Sequence, residues 1–342
     1  MGCAITDLVV KQEISLKDLS GKILAVDAMN QLYMFLSSIR GPDGALLTDS
    51  KGQVTSHLSG LFFRFAKLMQ ENIRFVFVFD GKVPELKWKE QARRKEAKLK
   101  AEVAYEKAAE AEDVVGMKKF AARTSKLTKE MRDEAVRLIR ALGCPVITAP
   151  SEGEAQAAYL VKKGQAFAVM SQDADCLLFG GARVVKNLSI TGRKKQALAY
   201  RDVSPELISL QETLQSLAIT QDQLIVLGML VGTDYNIGGI KRIGPKNALK
   251  LVHKHGNDLS ALFAEVKWDE HFAYPWEEVF RLFKGVETTD EYELSWKPMQ
   301  EKEIVKILVE DHEFGEERVL AALDRLNKKR KPVSQKGLGD FF

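Results

Sequence analysis

Short apolar runs recur along the chain, separated by longer stretches in which apolar residues stand three or four positions apart. Four of these runs are rich in β-branched or aromatic residues and predict strands: KILAVDAM (22–29), IRFVFVFD (73–80), CPVITAP (144–150) and AFAVMSQD (166–173). Two later runs predict further strands, ARVVKNL (182–188) and KQALAYRD (195–202).

The stretches between the strands predict helices. They are a segment containing Leu32, Tyr33, Phe35 and Leu36, then 57–72, the charged segment 85–133, 132–143 and 151–164. Beyond residue 202 the pattern is mainly helical. Strands that alternate with helices in this way are typical of an α/β fold, with a largely parallel central sheet flanked by helices.

Histidine and cysteine are scarce in this chain. Its 342 residues, 45% hydrophobic and 29% charged, suit a globular body of one large domain or two. None of the five His or three Cys has the spacing of a zinc or disulfide motif. No Gly-Lys-Ser/Thr loop follows a strand, so a P-loop NTPase is not expected. The apolar runs are too short to span a bilayer, so no membrane association is expected. A bound metal is therefore expected to be a hard cation with oxygen ligands.

Positive charge is concentrated in two segments. Fifteen basic and nine acidic residues lie between Lys82 and Arg132, and five basic residues against one acidic residue lie between Asn327 and Phe342. Because the net charge of the whole chain is only +4, the remainder is mildly acidic. Two basic appendages on an acidic body favour a polyanionic partner, although solvated helix faces and a polar tail account for the same pattern.

Acidic residues stand at or just beyond the ends of four predicted strands, and another follows the apolar helix QLIVLGMLVG. Seven carboxylates are candidates for one cluster: Asp27, Asp80, Glu152, Glu154, Asp173, Asp175 and Asp234. Because the carboxyl ends of parallel strands meet at one edge of a sheet, these side chains are expected to lie close together.

Each of these acids also has a purely structural explanation. Ser151 and Glu154 have the spacing of a capping box, and Asp173 or Asp175 could cap the segment that follows. Together, however, seven converging carboxylates would repel one another unless cations neutralised them. Mg²⁺ or Mn²⁺ does so, and two such ions about 4 Å apart can bind the attacking and leaving oxygens of a phosphodiester.

A glycine-rich stretch, GGIKRIGPKNALKLVHKHG (238–256), leads into a predicted helix with Pro245 in its first turn. Six residues are its candidate phosphate contacts: Gly238, Gly239, Lys241, Arg242, Gly244 and Lys246. The glycines are expected to leave backbone N–H groups open to a phosphate beside the basic side chains. This pattern is typical of a helix–hairpin–helix that holds a DNA backbone, with an ordinary link between helices as the alternative.

Six long motifs appear in order along the chain: AVDAMNQLY, VFVFDGKVPELK, APSEGEAQAAYL, SQDADCLL, GTDYNIGGIKRIGPKNA and QKGLGDFF. By these motifs the chain resembles, from end to end, the flap endonucleases of the structure-specific 5′-nuclease superfamily. The resemblance implies a PIN-like 5′-nuclease fold with a helical arch. It also implies an enzyme that cuts 5′ flaps from branched DNA, with a 5′-exonuclease side activity, in Okazaki fragment maturation and repair.

The same resemblance implies the cofactors and the catalytic residues. All seven carboxylates match positions of a site for two Mg²⁺ ions, for which Mn²⁺ is expected to substitute. Asp27 and Asp234 would act partly through bound water. Lys87 and Arg94 match a basic pair at the base of the arch, and their spacing of seven puts them on one helix face. Both would stabilise charge on the scissile phosphate.

Further DNA contacts follow from the resemblance. Tyr33 matches an aromatic residue that stacks on an unpaired nucleotide, although its apolar helix allows a core position equally well. Arg40 is expected to contact a phosphate nearby. The hairpin is expected to hold duplex DNA, with a monovalent cation on its carbonyl groups.

The C-terminal residues match the sliding-clamp pattern Q-x-x-hydrophobic-x-x-aromatic-aromatic. The matching residues are Gln335, Leu338, Phe341 and Phe342. They predict binding to a sliding clamp (PCNA), with packing of the tail on its own body as the alternative. The end at Phe342 and the hairpin form NIGGIKRIGPK favour the cytoplasm of an archaeal cell, whereas KKRK (328–331) would direct a eukaryotic protein to the nucleus.

We therefore expect a single nuclease domain over 1–326, containing an arch at 85–132 and a helix–hairpin–helix region at 220–256. A flexible basic tail, 327–342, is expected to follow, and the protein alone is expected to be monomeric. Two alternatives stay open. One is a repair nuclease of the same superfamily with a different substrate preference, and the other is a clamp-associated scaffold that binds branched DNA without cutting it.

Overall fold

A seven-stranded sheet lies at the centre of the protein. The computed structural model describes residues 5–82, 84–110, 126–188, 193–196 and 199–330. The strands of the chain are β1 Lys11–Glu13, β2 Ile23–Asp27, β3 Arg74–Phe79, β4 Val146–Thr148, β5 Ala168–Met170, β6 Arg183–Lys186, β7 Arg193–Gln196, β8 Ala199–Asp202 and β9 Glu206–Ser209. Their order in the central sheet is β1-β9-β6-β5-β2-β3-β4, and β7 and β8 form a separate pair.

The direction of the strands agrees with the sequence pattern. Strands β2 to β6 run parallel to their neighbours, whereas β9 is antiparallel to β6 and β1 is antiparallel to β9. The sheet is therefore mixed but mostly parallel, which confirms the predicted fold class.

Four strands differ from the prediction. The stretch 195–202 is not one strand, because β7 and β8 pair antiparallel with Gln196 opposite Ala199. Strands β1 and β9 were not predicted at all. All three residues of β1 are exposed, so this edge strand lacks the apolar signal on which strand prediction depends.

Helices cover both faces of the central sheet. They are α1 Ala28–Ser38, α2 Ser56–Met69, α3 Trp88–Glu110, α4 Lys129–Ala141, α5 Gly153–Lys162, α6 Leu210–Leu217, α7 Gln221–Val231, α8 Pro245–His255, α9 Leu259–Glu265, α10 Trp268–His271, α11 Trp276–Gly285, α12 Glu301–Val305 and α13 Glu316–Arg330. Short 3₁₀ turns lie at Leu16–Leu19, Glu85–Lys87 and Asp175–Leu177, and α12 continues as the π-helical segment Lys306–Asp311.

The sheet separates two apolar cores. Ala25 packs in one core with residues of α5 and α7, whereas its neighbour Val26 packs in the other with α1, α2, α4 and α13. In the second core, the ring of Phe65 lies 4.9 Å from that of Phe75 and 4.8 Å from that of Phe77, measured between centroids. Because side chains on both faces are buried, the parallel strands read as continuous apolar runs in the sequence.

A buried polar network joins three distant parts of the second core. His312, which follows the π-helical segment, is 4% exposed. Its Nδ1 lies 3.2 Å from Asp49 Oδ2 and its Nε2 lies 3.1 Å from Glu134 Oε1. Since both ring nitrogens face carboxylates, both can donate only when the ring is an imidazolium. His57 lies beside Glu134, and burial followed by the charge of His312 lowers the pKa of His57 to about 4.

Replacing His312 with leucine is expected to destabilise the fold by about 2 kcal/mol or more, because two carboxylates lose their shared donor. The measurement is urea unfolding, in which the midpoint should fall while the slope stays constant. His271→Leu on α10 is the control and should have a much smaller effect. An unchanged midpoint for His312→Leu would show that the network does not stabilise the native state.

No single helix among the described residues is long and apolar enough to cross a membrane. Helices α6 and α7 reach the required length and apolar content only when taken together, across a bend of 81°.

Candidate active site

Strand β2 lies where the order of the sheet reverses. From β2 the chain proceeds to β3 and β4 on one side, and it then returns to β5 and β6 on the other. Open α/β sheets bind ligands at the carboxyl edge of such a switch point. Asp27 is the last residue of β2, so it stands at this position. Its Oδ1 accepts a hydrogen bond from the backbone N–H of Asn30 at 3.0 Å, which caps α1.

Asp173 and Asp175 follow the neighbouring strand β5. The side-chain amide of Asn30 donates to Asp173 Oδ2 at 2.9 Å, and the hydroxyl of Ser171 donates to Asp27 Oδ2 at 3.2 Å. Asn30 and Ser171 therefore join the ends of β2 and β5. Neither aspartate is the N-cap of the 3₁₀ turn that follows, because Ala174 occupies that position. The capping explanation for this pair is wrong.

The end of β3 is joined directly to the start of α5. The backbone N–H of Gly153 donates to Asp80 Oδ1 at 2.7 Å, so Asp80 supplies an acceptor at the helix N-terminus. A Cβ on residue 153 would lie 2.7 Å from the same oxygen, so a larger residue here would displace the Asp80 carboxylate from its present position. Glu152 is the N-cap residue and makes no side-chain capping bond. The capping box of Ser151 and Glu154 is thus also wrong, because α5 begins later and takes its acceptor from another strand.

Lys87 approaches the same edge from the turn that precedes α3. Its Nζ lies 2.7 Å from Glu152 Oε2 and 3.3 Å from Asp234 Oδ2. Burial alone would lower the pKa of Lys87, but these two carboxylates outweigh burial and raise it above its ordinary value. The structure thereby brings Asp234, which follows α7, to the acids of the strand ends. We call these seven residues the carboxylate crevice: Asp27, Asp80, Glu152, Glu154, Asp173, Asp175 and Asp234.

Burial, together with repulsion between neighbouring carboxylates, raises the pKa of several members of the carboxylate crevice. Burial and then the charge of Asp80 raise the pKa of Asp27 to about 7. Burial, followed by Asp27, Asp175 and Asp173, raises the pKa of Glu154 well above its ordinary value. Burial also raises the pKa of Glu152, although Lys87 opposes the change. The protein alone therefore leaves part of the negative charge of this edge uncompensated.

The donor set fits hard divalent cations. All members of the crevice offer carboxylate oxygens, the ligands that Mg²⁺ and Mn²⁺ prefer. Glu152 Oε1 is buried and has no hydrogen-bond partner among the described residues. Among the residues that the structure describes, no three His, Cys, Asp or Glu side chains are already arranged around a single ion position.

Two candidate DNA contacts of the N-terminal region have partners within the protein. Tyr33 on α1 is 37% exposed, so it is not a core residue, and Lys98 Nζ of α3 lies 4.9 Å from the centre of its ring. Arg40 Nη1 donates to the carbonyl oxygen of Gly44 at 2.9 Å, which braces the loop after α1. The side chain of Arg94 and residues 111–125 of the predicted arch lie outside the described residues.

Helices α7 and α8 are joined by residues 232–244, as the predicted helix–hairpin–helix requires. Gly244 is the N-cap of α8 and Pro245 its first residue. The side chains of three basic residues here are exposed: Lys241, Arg242 and Lys246. Gly238 has open space around its Cα and a φ of 80°.

Gly239 differs from its predicted role in the hairpin. Its N–H donates to the carbonyl oxygen of Asn236 at 3.2 Å and so is not open to a phosphate. A Cβ on this residue would lie 2.4 Å from the carbonyl oxygen of Leu230. The glycine is therefore needed for close packing of the loop on the end of α7. The candidate clamp-binding residues Gln335, Leu338, Phe341 and Phe342 lie outside the described residues.

Three site residues were missed by sequence reasoning: Asn30, Gly153 and Ser171. Each stands within three residues of a candidate carboxylate, which is the signal that could have found it. Their function depends on contacts with other strands, however, and residue spacing alone does not reveal such contacts.

Two protein-family models match the chain, the XPG N-terminal domain over residues 4–101 and the XPG I-region over residues 143–234. The chain is 45% identical over 344 residues to flap endonuclease 1 of Pyrococcus abyssi, covering 100% of this chain and 98% of that protein. The solved structure of flap endonuclease-1 from Methanococcus jannaschii matches with a TM-score of 0.76 and 40% identity, over 96% of this chain and 98% of that one. The catalytic core of Rad2 in complex with DNA substrate matches with a TM-score of 0.70 and 25% identity. This match covers 95% of the present chain and 100% of the Rad2 chain.

A mostly parallel sheet with carboxylates at its carboxyl edge, a basic helix above them and a helix–hairpin–helix beside them define the class of 5′-nuclease folds. Identity over the full length of the chain narrows this class to one family. The chain belongs to the flap endonuclease 1 family.

Proposed function

We propose that the chain is a divalent-metal-dependent 5′ flap endonuclease that hydrolyses a DNA phosphodiester near the junction of single and double strands. The observation that carries this proposal is the carboxylate crevice, in which seven acids converge beside Lys87 and burial, followed by their mutual repulsion, raises the pKa of Asp27 and Glu154. Relatives called flap endonuclease 1 support the reaction. Okazaki fragment maturation and repair, with a 5′-exonuclease side activity, are the roles that fit it.

Two Mg²⁺ ions are the proposed cofactors, with Mn²⁺ as a substitute. Asp80, Glu154, Asp173 and Asp175 would hold the ions directly, and Glu152 lies close to them. Asp27 and Asp234 would act partly through water. When bound, the ions supply Lewis-acid stabilisation of the charge that develops on the phosphate.

The chain's own cations complete the proposed site. Lys87 lies against Glu152 and Asp234, so it can contact a non-bridging phosphate oxygen when it exchanges one of these partners for the substrate. Arg94, seven residues further along the chain in α3, would assist it. Tyr33 offers an exposed ring on which an unpaired base can stack, and Arg40 is proposed to contact a phosphate nearby.

Duplex DNA would bind at the helix–hairpin–helix. Its proposed backbone contacts are the N–H groups of Gly238 and Gly244 and the side chains of Lys241, Arg242 and Lys246. A monovalent cation on the loop carbonyl groups would add positive charge there.

A 5′-labelled flap DNA tests the proposed reaction. We expect Mg²⁺ to produce one main cut at the junction, and we expect a gapped duplex and a bubble of the same sequence to be cut more slowly. A preference for the bubble would favour a repair nuclease of the superfamily. Binding of the flap without any cleavage in Mg²⁺ or Mn²⁺ would favour a scaffold that holds branched DNA.

A sliding clamp is the proposed protein partner, through Gln335, Leu338, Phe341 and Phe342. Deleting residues 335–342 is expected to leave basal flap cleavage unchanged and to remove its stimulation by the clamp, because the predicted nuclease domain ends at residue 326. The measurement compares cleavage rates with and without an archaeal clamp, and Lys336→Ala is the control. Undiminished stimulation of the shortened chain would refute this role.

We propose that the chain acts in the cytoplasm of an archaeal cell; the flap endonuclease 1 relatives from Pyrococcus abyssi and Thermofilum pendens come from archaea. We further propose that the chain is monomeric in the absence of DNA and clamp.

A further inference from the structure

Lys186 is the last residue of β6, at the same edge of the sheet as the carboxylate crevice. Val26 of β2 lies beside Met170 of β5, and Met170 lies beside Val185 of β6, so these three residues form one row across the sheet. One residue further along each strand, the next row consists of Asp27, Ser171 and Lys186. Because neighbouring strands lie about 4.8 Å apart, the Cα atoms of Lys186 and Asp27 are separated by about 10 Å.

The side chain of Lys186 leaves the same face of the sheet as that of Asp27. Val184 packs in the same core as Ala25, whereas Val185 and Val26 pack in the opposite core. Successive side chains along a strand point to opposite faces of the sheet. The side chains of Asp27 and Lys186 therefore lie on the same face as those of Ala25 and Val184. This is also the face covered by α5, the helix that carries Glu154.

Lys186 lacks a close counter-ion, in contrast to Lys87. The ammonium group of Lys87 has carboxylate oxygens at 2.7 and 3.3 Å. The ammonium group of Lys186 forms no hydrogen bond or ion pair with any of the residues that the structure describes. Lys186 is nevertheless half-buried, and burial lowers its pKa against the opposing pull of Asp173. A desolvated ammonium group without a partner is costly unless an anion joins it.

The acids whose charges act on Lys186 are Asp173, Glu206 and Asp175. Asp173 accepts a hydrogen bond from Asn30, and Asp27 accepts one from Ser171. Glu206 is opposite Lys186 in the antiparallel pairing of β6 and β9, but no ion pair joins the two side chains. An anion that approaches the carboxylate crevice from solvent can therefore reach this ammonium group.

We propose that Lys186 binds a phosphate oxygen of the DNA strand that enters the carboxylate crevice, on the β6 side, opposite Lys87. This inference rests on the proposed function, because the phosphodiester is the anion that a flap substrate brings to this edge. Lys87 and Lys186 then hold the strand from the two sides of the crevice. The cation at residue 186 also limits the metal site on this side, since a positive charge disfavours a divalent ion beside it.

The test measures binding of a fluorescent 5′-flap DNA with Ca²⁺ in place of Mg²⁺, at several KCl concentrations. Lys186→Ala is expected to raise Kd about tenfold at low salt and to reduce the slope of log Kd against log [KCl] by about one, because one phosphate contact is lost. Lys186→Arg should restore most of both. Lys17→Ala is the matched control, because Lys17 is an exposed lysine in the 3₁₀ turn before β2 and is not among the charges that act on Lys186.

Cleavage and unfolding measurements separate the possible failures. In Mg²⁺, Lys186→Ala is expected to raise KM more than it lowers kcat. If the wild-type chain cuts the flap and Lys186→Ala keeps its Kd and salt slope, the phosphate contact is refuted. If Lys186→Ala lowers the urea midpoint and leaves the salt slope unchanged, Lys186 has a structural role beside Glu206. This result would also refute the phosphate contact. A wild-type chain that binds the flap without cutting it would overturn the proposed function itself.

Discussion

Asp175→Ala is expected to reduce flap cleavage at saturating Mg²⁺ by more than about 10³-fold, while flap binding in Ca²⁺ stays within a few-fold of that of the wild-type chain. Asp175 is 7% exposed, and its charge helps to raise the pKa of Glu154. Losing this carboxylate removes a ligand from the proposed metal site. Loss of a single electrostatic donor in other enzymes already costs about 10²–10³ in rate. Single-turnover cleavage of a 5′-labelled flap measures the effect.

Two further variants make this result interpretable. Asp175→Asn keeps the size of the side chain and removes its charge, so it should be nearly as inactive as Asp175→Ala. Asp269→Ala removes an exposed carboxylate on α10 and should cleave at the wild-type rate. Cleavage by Asp175→Asn at the wild-type rate would show that this carboxylate does not hold a catalytic ion.

Lys87→Ala is expected to lower the single-turnover rate by about 10²–10³-fold, because a cation that stabilises the phosphate is removed. The ion pairs of Lys87 with Glu152 and Asp234 suggest a competing explanation, in which the lysine only neutralises these acids. Mg²⁺ titration distinguishes the two roles. A rate that stays low at saturating Mg²⁺ supports phosphate stabilisation, whereas full rescue by Mg²⁺ assigns Lys87 to charge neutralisation alone.

The control variant for Lys87→Ala changes a lysine on the adjoining helix α3. Lys100 on α3 is exposed and pairs with Glu96 one turn earlier, so Lys100→Ala should cleave normally. Lys87→Arg is expected to restore only part of the rate, because a guanidinium does not reproduce the position of an ammonium point charge.

The sequence predicted those features that depend on local pattern. The five parallel strands are buried on both faces, so their apolar runs were recognisable. The acids at the ends of these strands could then be placed at one edge by a general rule for parallel sheets. Family motifs narrowed the cluster to a nuclease site. Strand β1 escaped prediction because it is exposed, and β7 and β8 were taken for a single strand.

Features that depend on distant contacts could not be read from the sequence. The acceptor at the start of α5 comes from Asp80, 73 residues before Gly153, so the local capping pattern at Ser151 was misleading. Lys87 pairs with Glu152 and Asp234, residues of two other segments. Lys186 lies at the end of an apolar run, and its relation to Asp27 depends on the pairing of β6 with β5 and of β5 with β2.

Binding of divalent ions by the carboxylate crevice is measured by counting bound Mn²⁺ with electron paramagnetic resonance. We expect about two ions per wild-type chain in the presence of flap DNA. We also expect at least tenfold weaker binding in Glu154→Gln and Asp175→Asn, and unchanged binding in Asp269→Asn. Equal Mn²⁺ binding by the wild-type, Glu154→Gln and Asp175→Asn chains would show that the crevice does not hold the ions.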